Sequence, residues 1–132
     1  MRRIWIIILV TFLLVGTDAI GQTNKKVPPF QIDQSNGKLF RAQDLPIDKP
    51  IIIIYFSPDC EECQEFTEAM LTRMDDFWKA SVVMITYLPV LNVAQFVSKY
   101  RLHIYPNIFV GTEGNNFIVR YYFNIQRFPI IQ

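Results

Sequence analysis

The chain has 132 residues, of which 51% are hydrophobic, and a formal net charge of +1. This length accommodates one small domain, and the apolar content is sufficient for a core. A chain so close to neutrality lacks the basic face that displaces counterions from a nucleic acid. It also has no polybasic patch for anionic lipids. Neither a nucleic acid nor an anionic membrane surface is therefore expected as a partner.

The start of the chain has the pattern of an export signal. Two arginines precede an almost unbroken apolar run over residues 4–15, and small residues suited to cleavage follow around Ala19. The run is shorter than the about 20 apolar residues that a membrane-spanning helix needs. We expect residues 1–21 to be a cleaved signal peptide and residues 22–132 to form the exported domain. An uncleaved anchor or a buried helix is the alternative.

From residue 27 onward the pattern predicts strands and helices in alternation. A hairpin around the Asn36–Gly37 turn comes first. Residues 51–56 are β-branched or aromatic with no polar face, which predicts a strand buried on both sides. The elements expected after it are a helix from Cys60 to about Met74, a strand over 81–87, a helix over 92–100, an extended segment over 105–110 and a loop over 111–116. Residues 117–123 have a strand-like composition but fit two short elements equally well, and a last strand begins near Ile130.

This order of elements predicts an α/β fold with parallel strands and helices packed on the sheet faces. Ser57 suits the N-cap of the first long helix, and Pro58 suits its first turn. Cys60 and Cys63 then lie at the carboxyl end of the first central strand. Open α/β sheets place their functional sites at that end.

The two cysteines of the chain, Cys60 and Cys63, are separated by two glutamates. Zinc would need four ligands, and His103 is the single histidine, so no metal site is expected. Covalent haem attachment needs a histidine directly after the second cysteine, where this chain has Gln64. A purely structural disulfide stays open as an alternative, but so small a loop would restrict the unfolded chain little. A redox-active pair that needs no cofactor is therefore favoured.

The spacing assigns different roles to the two thiols. Cys60, at the helix N-terminus, is the predicted nucleophile, because unpaired backbone N–H groups and the helix dipole stabilise a thiolate there. Cys63 lies one turn deeper and would resolve the mixed disulfide. Asp59, Glu61 and Glu62 surround Cys60 with negative charge that should disfavour its thiolate. This predicts a reductase rather than a disulfide donor; alternatively, the three carboxylates are solvated and have little effect.

Residues 27–30, Gly37–Lys38, the 51–56 run and the segment from Ser57 to Cys63 together resemble the TlpA/ResA-like branch of the thioredoxin superfamily, which is often grouped by fold with the redoxins. The resemblance extends to about Ile131. It implies a thioredoxin-like fold, with a central mixed sheet flanked by helices, in the periplasm or cell envelope. It also implies protein thiols and disulfides as substrates and a membrane electron donor upstream. We expect a monomer.

The family carries a cis-proline that faces the cysteine pair and offers backbone for substrate pairing. The position of Pro129 is similar to that in the TlpA/ResA-like branch, and Pro106, the runner-up, is placed as in plain thioredoxin. With Pro129 in this role, the resemblance implies that the last strands and the C-terminal helix are missing and that the chain is truncated. An unpaired sheet edge and an uncovered apolar face should then remain. Ile54 also stands where plain thioredoxin has a buried acid.

Two other functions stay open. A peroxiredoxin-like peroxidase needs a threonine and an arginine beside its reactive cysteine, and no threonine lies just before Cys60. A non-catalytic or degenerate thioredoxin-fold interaction module is the second alternative, and the missing C-terminal elements favour it. Peroxide consumption tests the first alternative, and insulin reduction with Cys60→Ser as the control tests the second.

Overall fold

The computed structural model describes residues 26–132, so the predicted signal peptide over residues 1–21 lies outside the described residues. The helices and strands are, in chain order, β1 (Gln31–Gln34), β2 (Leu39–Arg41), β3 (Ile51–Tyr55), α1 (Glu61–Leu71), α2 (Met74–Phe77), β4 (Ser81–Thr86), α3 (Val90–Tyr100), β5 (Ile108–Thr112), α4 (Ile118–Tyr122) and β6 (Ile130–Ile131). Short 3-10 turns follow β2, α3 and β5.

The strands form one six-stranded mixed sheet in the order β2-β1-β5-β4-β3-β6. β3, β4 and β5 are parallel to one another, because α1 and α2 connect the first pair and α3 connects the second. The β1–β2, β1–β5 and β3–β6 pairs are antiparallel. The carboxyl ends of the three parallel strands therefore meet at one edge of the sheet, and the chain after β3 starts there.

Side chains alternate between two apolar layers on opposite sheet faces. Ile54 and Phe56 belong to the layer that packs against α1 and α3, and Cys63 lies in that layer. Ile53 and Tyr55 belong to the other layer, which contains Val119 of α4. Every residue of β4 is buried, as expected for a strand inside a sheet that is covered on both faces.

The α/β fold class predicted from the sequence is confirmed, since a mixed sheet is flanked by helices on both faces. β2 and β6 are the outer strands of the sheet, and Ile131 of β6 is half exposed. The predicted uncovered face is not found over the carboxyl half of β3. Ile53 and Tyr55 are buried there beneath a layer that includes Val119 and Ile125.

The segment over residues 117–123, whose composition favours a strand, is helical over Ile118–Tyr122. The reason is tertiary: the Glu113 carboxylate accepts hydrogen bonds from the Val119 and Arg120 backbone N–H groups at 2.9 and 3.4 Å. These N–H groups belong to the first turn of the helix, where no intrahelical acceptor is available. Composition alone does not reveal an acceptor that lies outside the segment.

The predicted loop over 111–116 begins two residues later than expected, because Gly111 and Thr112 belong to β5. Gly111 is paired with Ile85 on one side and Gln34 on the other. A Cβ at this position would lie 2.9 Å from the Asp33 carbonyl oxygen, so glycine permits the close approach of β1 and β5.

Helix α1 ends at Leu71 rather than near Met74. The Thr72 hydroxyl donates a 2.7 Å hydrogen bond to the Ala69 carbonyl, and Arg73 leaves the helical conformation with φ −125° and ψ 30°. The apolar periodicity continues into α2, which starts at Met74. Two helices therefore share one continuous apolar pattern.

Candidate active site

A tight turn carries the chain from β3 into α1. The Cys60 backbone N–H donates a 3.1 Å hydrogen bond to the Ser57 carbonyl, so these two residues are the first and last of a four-residue turn. Pro58 occupies the second position of this turn, where its fixed φ is favourable. The prediction that Ser57 caps the helix is wrong. The helix begins at Glu61, and Cys60 itself is the N-cap, with φ −84° and ψ 120°.

The Cys60 sulfur makes the side-chain contact that a serine or aspartate makes at other helix starts. It accepts a 3.2 Å hydrogen bond from the Cys63 backbone N–H. The side chain is partly exposed, whereas Cys63 is buried. A negative charge on the Cys60 sulfur would therefore meet a backbone N–H and the positive end of the helix dipole, and the sulfur would remain accessible to a substrate from solvent.

Cys63 lies in the apolar layer between α1 and the sheet, with 1% of its surface exposed. Burial, together with the hydrogen bond to Cys60, raises the pKa of the Cys63 thiol to about 12. The negative charge of Glu62 acts in the same direction, and a backbone hydrogen bond from Ser57 opposes it. Cys63 is therefore a protonated thiol at neutral pH.

The two candidate prolines lie at opposite ends of the sheet. The Phe128–Pro129 peptide bond is cis. The Phe128 carbonyl oxygen lies 4.0 Å from Cys60 Sγ, so this bond is adjacent to the cysteine pair. Pro106 precedes β5 and thus lies at the amino ends of the parallel strands, away from the cysteines. The structure brings Pro129, but not Pro106, to the cysteine pair.

The three acidic residues around Cys60 are all exposed. Within residues 26–132 an ion pair forms between Arg73 and Asp76. None of Asp59, Glu61 and Glu62 forms an ion pair in this part of the chain. Their charges are thus not neutralised by a neighbouring cation. The mouth of the site is acidic on the α1 side.

Side-chain contacts fix the start of α1. The Gln64 amide donates a 2.9 Å hydrogen bond to the Pro58 carbonyl, and Lys99 of α3 donates to the Gln64 oxygen at 3.4 Å. Thr67 is buried and donates to the Cys63 carbonyl at 2.8 Å. This threonine lies one turn beyond Cys63, and it is hydrogen-bonded to that backbone rather than to the Cys60 sulfur.

A buried carboxylate behind the site is absent from the sequence predictions. Glu113, only 3% exposed, follows β5 and accepts a 2.7 Å hydrogen bond from the Tyr55 hydroxyl. Burial, and then the neighbouring Glu113 carboxylate, raise the pKa of Tyr55 far above its usual value. The signals available in the sequence were a tyrosine that ends an aliphatic strand and an acid after β5, but their pairing is visible only in the fold.

The aromatic ring of Phe128 connects this buried pair to the cysteines. It stacks on Tyr55 and on Tyr87, with ring centroids 5.8 and 5.9 Å apart. The Arg120 guanidinium carbon lies 5.8 Å from the Phe128 ring, 5.4 Å from the Tyr87 ring and 5.6 Å from the Phe117 ring. The residue whose carbonyl faces Cys60 is therefore packed within an aromatic and cationic cluster.

His103 is exposed in the 3-10 turn after α3, at the end of the sheet away from the cysteines. Across residues 26–132, no cluster of three or more histidine, cysteine or acidic side chains is arranged to hold a metal ion. Within the same part of the chain, no helix is long and apolar enough to cross a bilayer.

With this geometry established, the fold is of the thioredoxin-like class, and solved structures of that class resemble it. A secreted Mycobacterium tuberculosis disulfide oxidoreductase homologous to E. coli DsbE is 20% identical, with a TM-score of 0.63 over 78% of this chain and 73% of that chain. DsbF of M. tuberculosis, in mixed oxidized and reduced forms, is also 20% identical, with a TM-score of 0.62 over 79% of this chain and 77% of its own.

A thioredoxin-like protein from Porphyromonas gingivalis is likewise similar, at 20% identity and a TM-score of 0.58 over 80% of this chain and 70% of its own. No family model and no curated protein sequence matches the chain. At this level of identity the likeness shows a shared fold. The assignment of a function therefore depends on the cysteine site itself.

Proposed function

We propose that this chain is an exported thiol-disulfide oxidoreductase of the TlpA/ResA-like kind that acts through Cys60 and Cys63. The observation that carries the proposal is the position of the Cys60 sulfur. It is partly exposed at the N-cap of α1, accepts the Cys63 backbone N–H at 3.2 Å, and faces the Phe128 carbonyl. A sulfur at the start of a helix is the setting in which a reactive cysteine is expected, and this one is accessible to a substrate.

The first step is attack by the Cys60 thiolate on one sulfur of a substrate disulfide. A Cys60–substrate disulfide bond forms, the original disulfide bond breaks, and the other substrate sulfur leaves as a thiolate. The backbone on either side of Pro129, beginning with the Phe128 carbonyl, lies next to Cys60 and is the proposed place where the substrate chain pairs.

The second step is attack by Cys63 on the Cys60 sulfur. Because burial raises the pKa of Cys63 to about 12, its proton has to leave as the attack proceeds. The substrate thiolate released in the first step is a suitable acceptor for this proton. The second substrate sulfur leaves and takes a proton from water. The substrate has then gained two electrons and two protons, and the protein carries a Cys60–Cys63 disulfide.

The acidic residues Asp59, Glu61 and Glu62 support the reductase direction. Like charge disfavours a thiolate at Cys60 and therefore makes the reduced form less stable than it would be in a neutral setting. A protein whose reduced form is destabilised gives up electrons readily. To act repeatedly it needs a donor of electrons, and a membrane electron donor upstream is the proposed source.

The proposed setting is the periplasm or cell envelope, which the N-terminal signal pattern supports. Protein thiols and disulfides are the proposed substrates, and the working unit is a monomer. A cysteine content limited to one pair suits an oxidising compartment, where further thiols would pair wrongly.

Reduction of insulin disulfides by dithiothreitol tests the proposal. We expect the chain to accelerate precipitation of the insulin B chain, and Cys60→Ser to abolish the acceleration. Reduced Cys63→Ser, freed of dithiothreitol and mixed with insulin, should instead accumulate a mixed disulfide on Cys60, which intact-mass measurement detects. Equal activity of the wild type and Cys60→Ser would overturn the proposal, and rapid peroxide consumption in place of insulin reduction would favour a peroxidase.

A further inference from the structure

Within residues 26–132 the Arg120 guanidinium group forms no direct ion pair. Over residues 26–132, no carboxylate oxygen lies within 4.0 Å of its guanidinium group, although Glu113 accepts a hydrogen bond from its backbone N–H. The side chain is only partly exposed. A half-buried guanidinium outside any direct ion pair has N–H groups that can still donate hydrogen bonds to a ligand.

The guanidinium group lies among aromatic rings at cation–π distance. Three rings, those of Phe117, Tyr87 and Phe128, lie between 5.4 and 5.8 Å from its central carbon. The backbone that carries it is fixed as well, since the Glu113 carboxylate caps the first turn of α4. A planar guanidinium can donate two parallel hydrogen bonds to a carboxylate, and the contacts with the rings restrict its position.

A cavity of about 270 Å³ adjoins Arg120, and it is lined by Phe117, Arg120, Tyr121, Asn124, Ile125 and Gln126. The Gln126 amide donates a 3.0 Å hydrogen bond to the Asn124 side-chain oxygen. That bond leaves the side-chain N–H groups of Asn124 as further donors to a ligand. The cavity thus combines a cation, amide donors and apolar walls, which is the composition expected of a site for an acidic side chain.

The cavity lies along the proposed path of the substrate. Its wall includes Gln126, which precedes Phe128 by two residues, and Phe128 presents its carbonyl to Cys60. A peptide that pairs beside Pro129 and runs along this segment passes the Arg120 cavity. On the other side of Cys60 the exposed charges are the acidic ones of α1, which repel a carboxylate.

We propose that Arg120 and the adjoining cavity bind a carboxylate of the substrate, so that the protein selects disulfides flanked by an aspartate or a glutamate. The inference rests on the proposed exchange at Cys60. Arg120 is then a residue that determines specificity but takes no part in the thiol-disulfide exchange itself. Two aligned charge-assisted hydrogen bonds in a partly desolvated site favour the acid over its amide by about tenfold or more.

The test uses pairs of peptides, each closed by a disulfide. The two members of a pair differ only at one position, where one has glutamate and the other has glutamine. This position is varied over the three residues on either side of a cysteine. The reduced full-length chain is mixed with each peptide at low ionic strength, and kcat/KM is measured by chromatography of the quenched mixture. We expect the glutamate peptide to react about tenfold faster at one or more positions. The ratio should fall to about one in Arg120→Met.

Arg127→Gln is the matched control, since Arg127 is exposed, adjoins Phe128 in sequence and carries the same charge. It should keep the preference for glutamate, and Arg120→Lys should keep only part of it. Both peptides are measured with the same variant, so a folding defect lowers both rates and leaves their ratio unchanged. An equal loss of preference in Arg127→Gln and Arg120→Met would assign the effect to general charge and overturn the inference.

A binding measurement separates this inference from the proposed function. Peptides with serine in place of cysteine are titrated against the Cys60→Ser chain by fluorescence anisotropy. Tighter binding of the glutamate peptide that depends on Arg120 supports the carboxylate site even if no disulfide is reduced. Equal reduction of the glutamate and glutamine peptides at every position overturns the site and leaves disulfide exchange standing.

Discussion

The hydroxyl group of Tyr55, the last residue of β3, donates a 2.7 Å hydrogen bond to the Glu113 carboxylate just beyond β5. Both side chains are buried, and β4 lies between their strands in the sheet. The pair therefore links the strand that leads to Cys60 with the segment that starts α4. Since the Tyr55 ring also stacks on Phe128, the same hydrogen bond supports both sides of the cysteine site.

Tyr55→Phe is expected to lower the free energy of unfolding by about 2 kcal/mol, because it removes a hydrogen bond to a charged acceptor in a buried setting. Urea unfolding followed by circular dichroism measures the change. Tyr122→Phe is the control: its hydroxyl is on an exposed residue and donates to the Lys26 carbonyl at 3.1 Å, so its loss should cost less than about 0.5 kcal/mol. Equal costs in the two variants would contradict a special role for the buried pair.

The same pair predicts a pH dependence above pH 10. The pKa of Tyr55 is raised in the folded chain, so the folded state keeps its proton where the unfolded state loses it. The stabilisation is complete below the unfolded value of 10 and is lost as the pH rises beyond it. From this group alone, the free energy of unfolding should fall by about 1.4 kcal/mol between pH 9 and pH 11.

Urea unfolding at pH 9, 10 and 11 measures this loss as the difference between the wild type and Tyr55→Phe, which cancels the titration of the other groups. The difference in unfolding free energy between the wild type and Tyr55→Phe should become smaller as the pH rises. A difference in unfolding free energy that stays constant or widens would contradict the conclusion that Tyr55 keeps its proton in the folded state.

The elements that the sequence predicts well are those whose signal is local. The apolar runs of β3 and β4 and the 3–4 periodicity of α1 are contained within their own residues, and the structure has these elements at those places. The segment that forms α4 is not predicted as a single helix, because its helical start depends on Glu113, a residue outside it. The two cysteines are evident from their spacing, whereas Arg120 and Tyr55 join the site only through long-range packing.

Gly111→Ala should destabilise the chain by about 2 kcal/mol, because the new Cβ would lie 2.9 Å from the Asp33 oxygen and from Ile32 Cβ. The methyl group would push apart β1 and β5, which approach each other at this residue. Gly114→Asn is the control, since that site has a φ of 57° that asparagine tolerates, and a Cβ added there would have no neighbouring atom within 4 Å. Thermal unfolding should show a large fall in Tm for the first variant and little change for the second.

Alkylation should distinguish the two thiols. At pH 8 a thiol whose pKa is about 12 is thiolate in only about one molecule in ten thousand, and Cys63 is also buried. Iodoacetamide is therefore expected to add one group to the reduced chain, on Cys60, as read by intact mass and peptide mapping. Cys60→Ser should be labelled at least about tenfold more slowly than the wild type. In urea, both cysteines of the wild type should react, and preferential labelling of Cys63 in the folded chain would contradict the roles assigned to the pair.

Neutralising the acidic rim of the site should make the protein a stronger oxidant. In the triple variant with Asp59→Asn, Glu61→Gln and Glu62→Gln, a thiolate at Cys60 no longer meets like charge, so the reduced form gains stability. We expect the reduction potential to rise by about 30 mV, which is a tenfold change for a two-electron couple. Equilibration with glutathione buffers, followed by trapping of free thiols, measures it.

The control carries the same change in charge farther from Cys60, with Glu65→Gln, Glu68→Gln and Asp75→Asn, all exposed on α1 or α2. Its potential should move much less, because surface charges act weakly across water and salt. Both potentials compare oxidised and reduced forms of the same variant, so a loss of helix stability common to the two forms cancels. An equal rise in both variants would mean that net charge, rather than the acids beside Cys60, sets the potential.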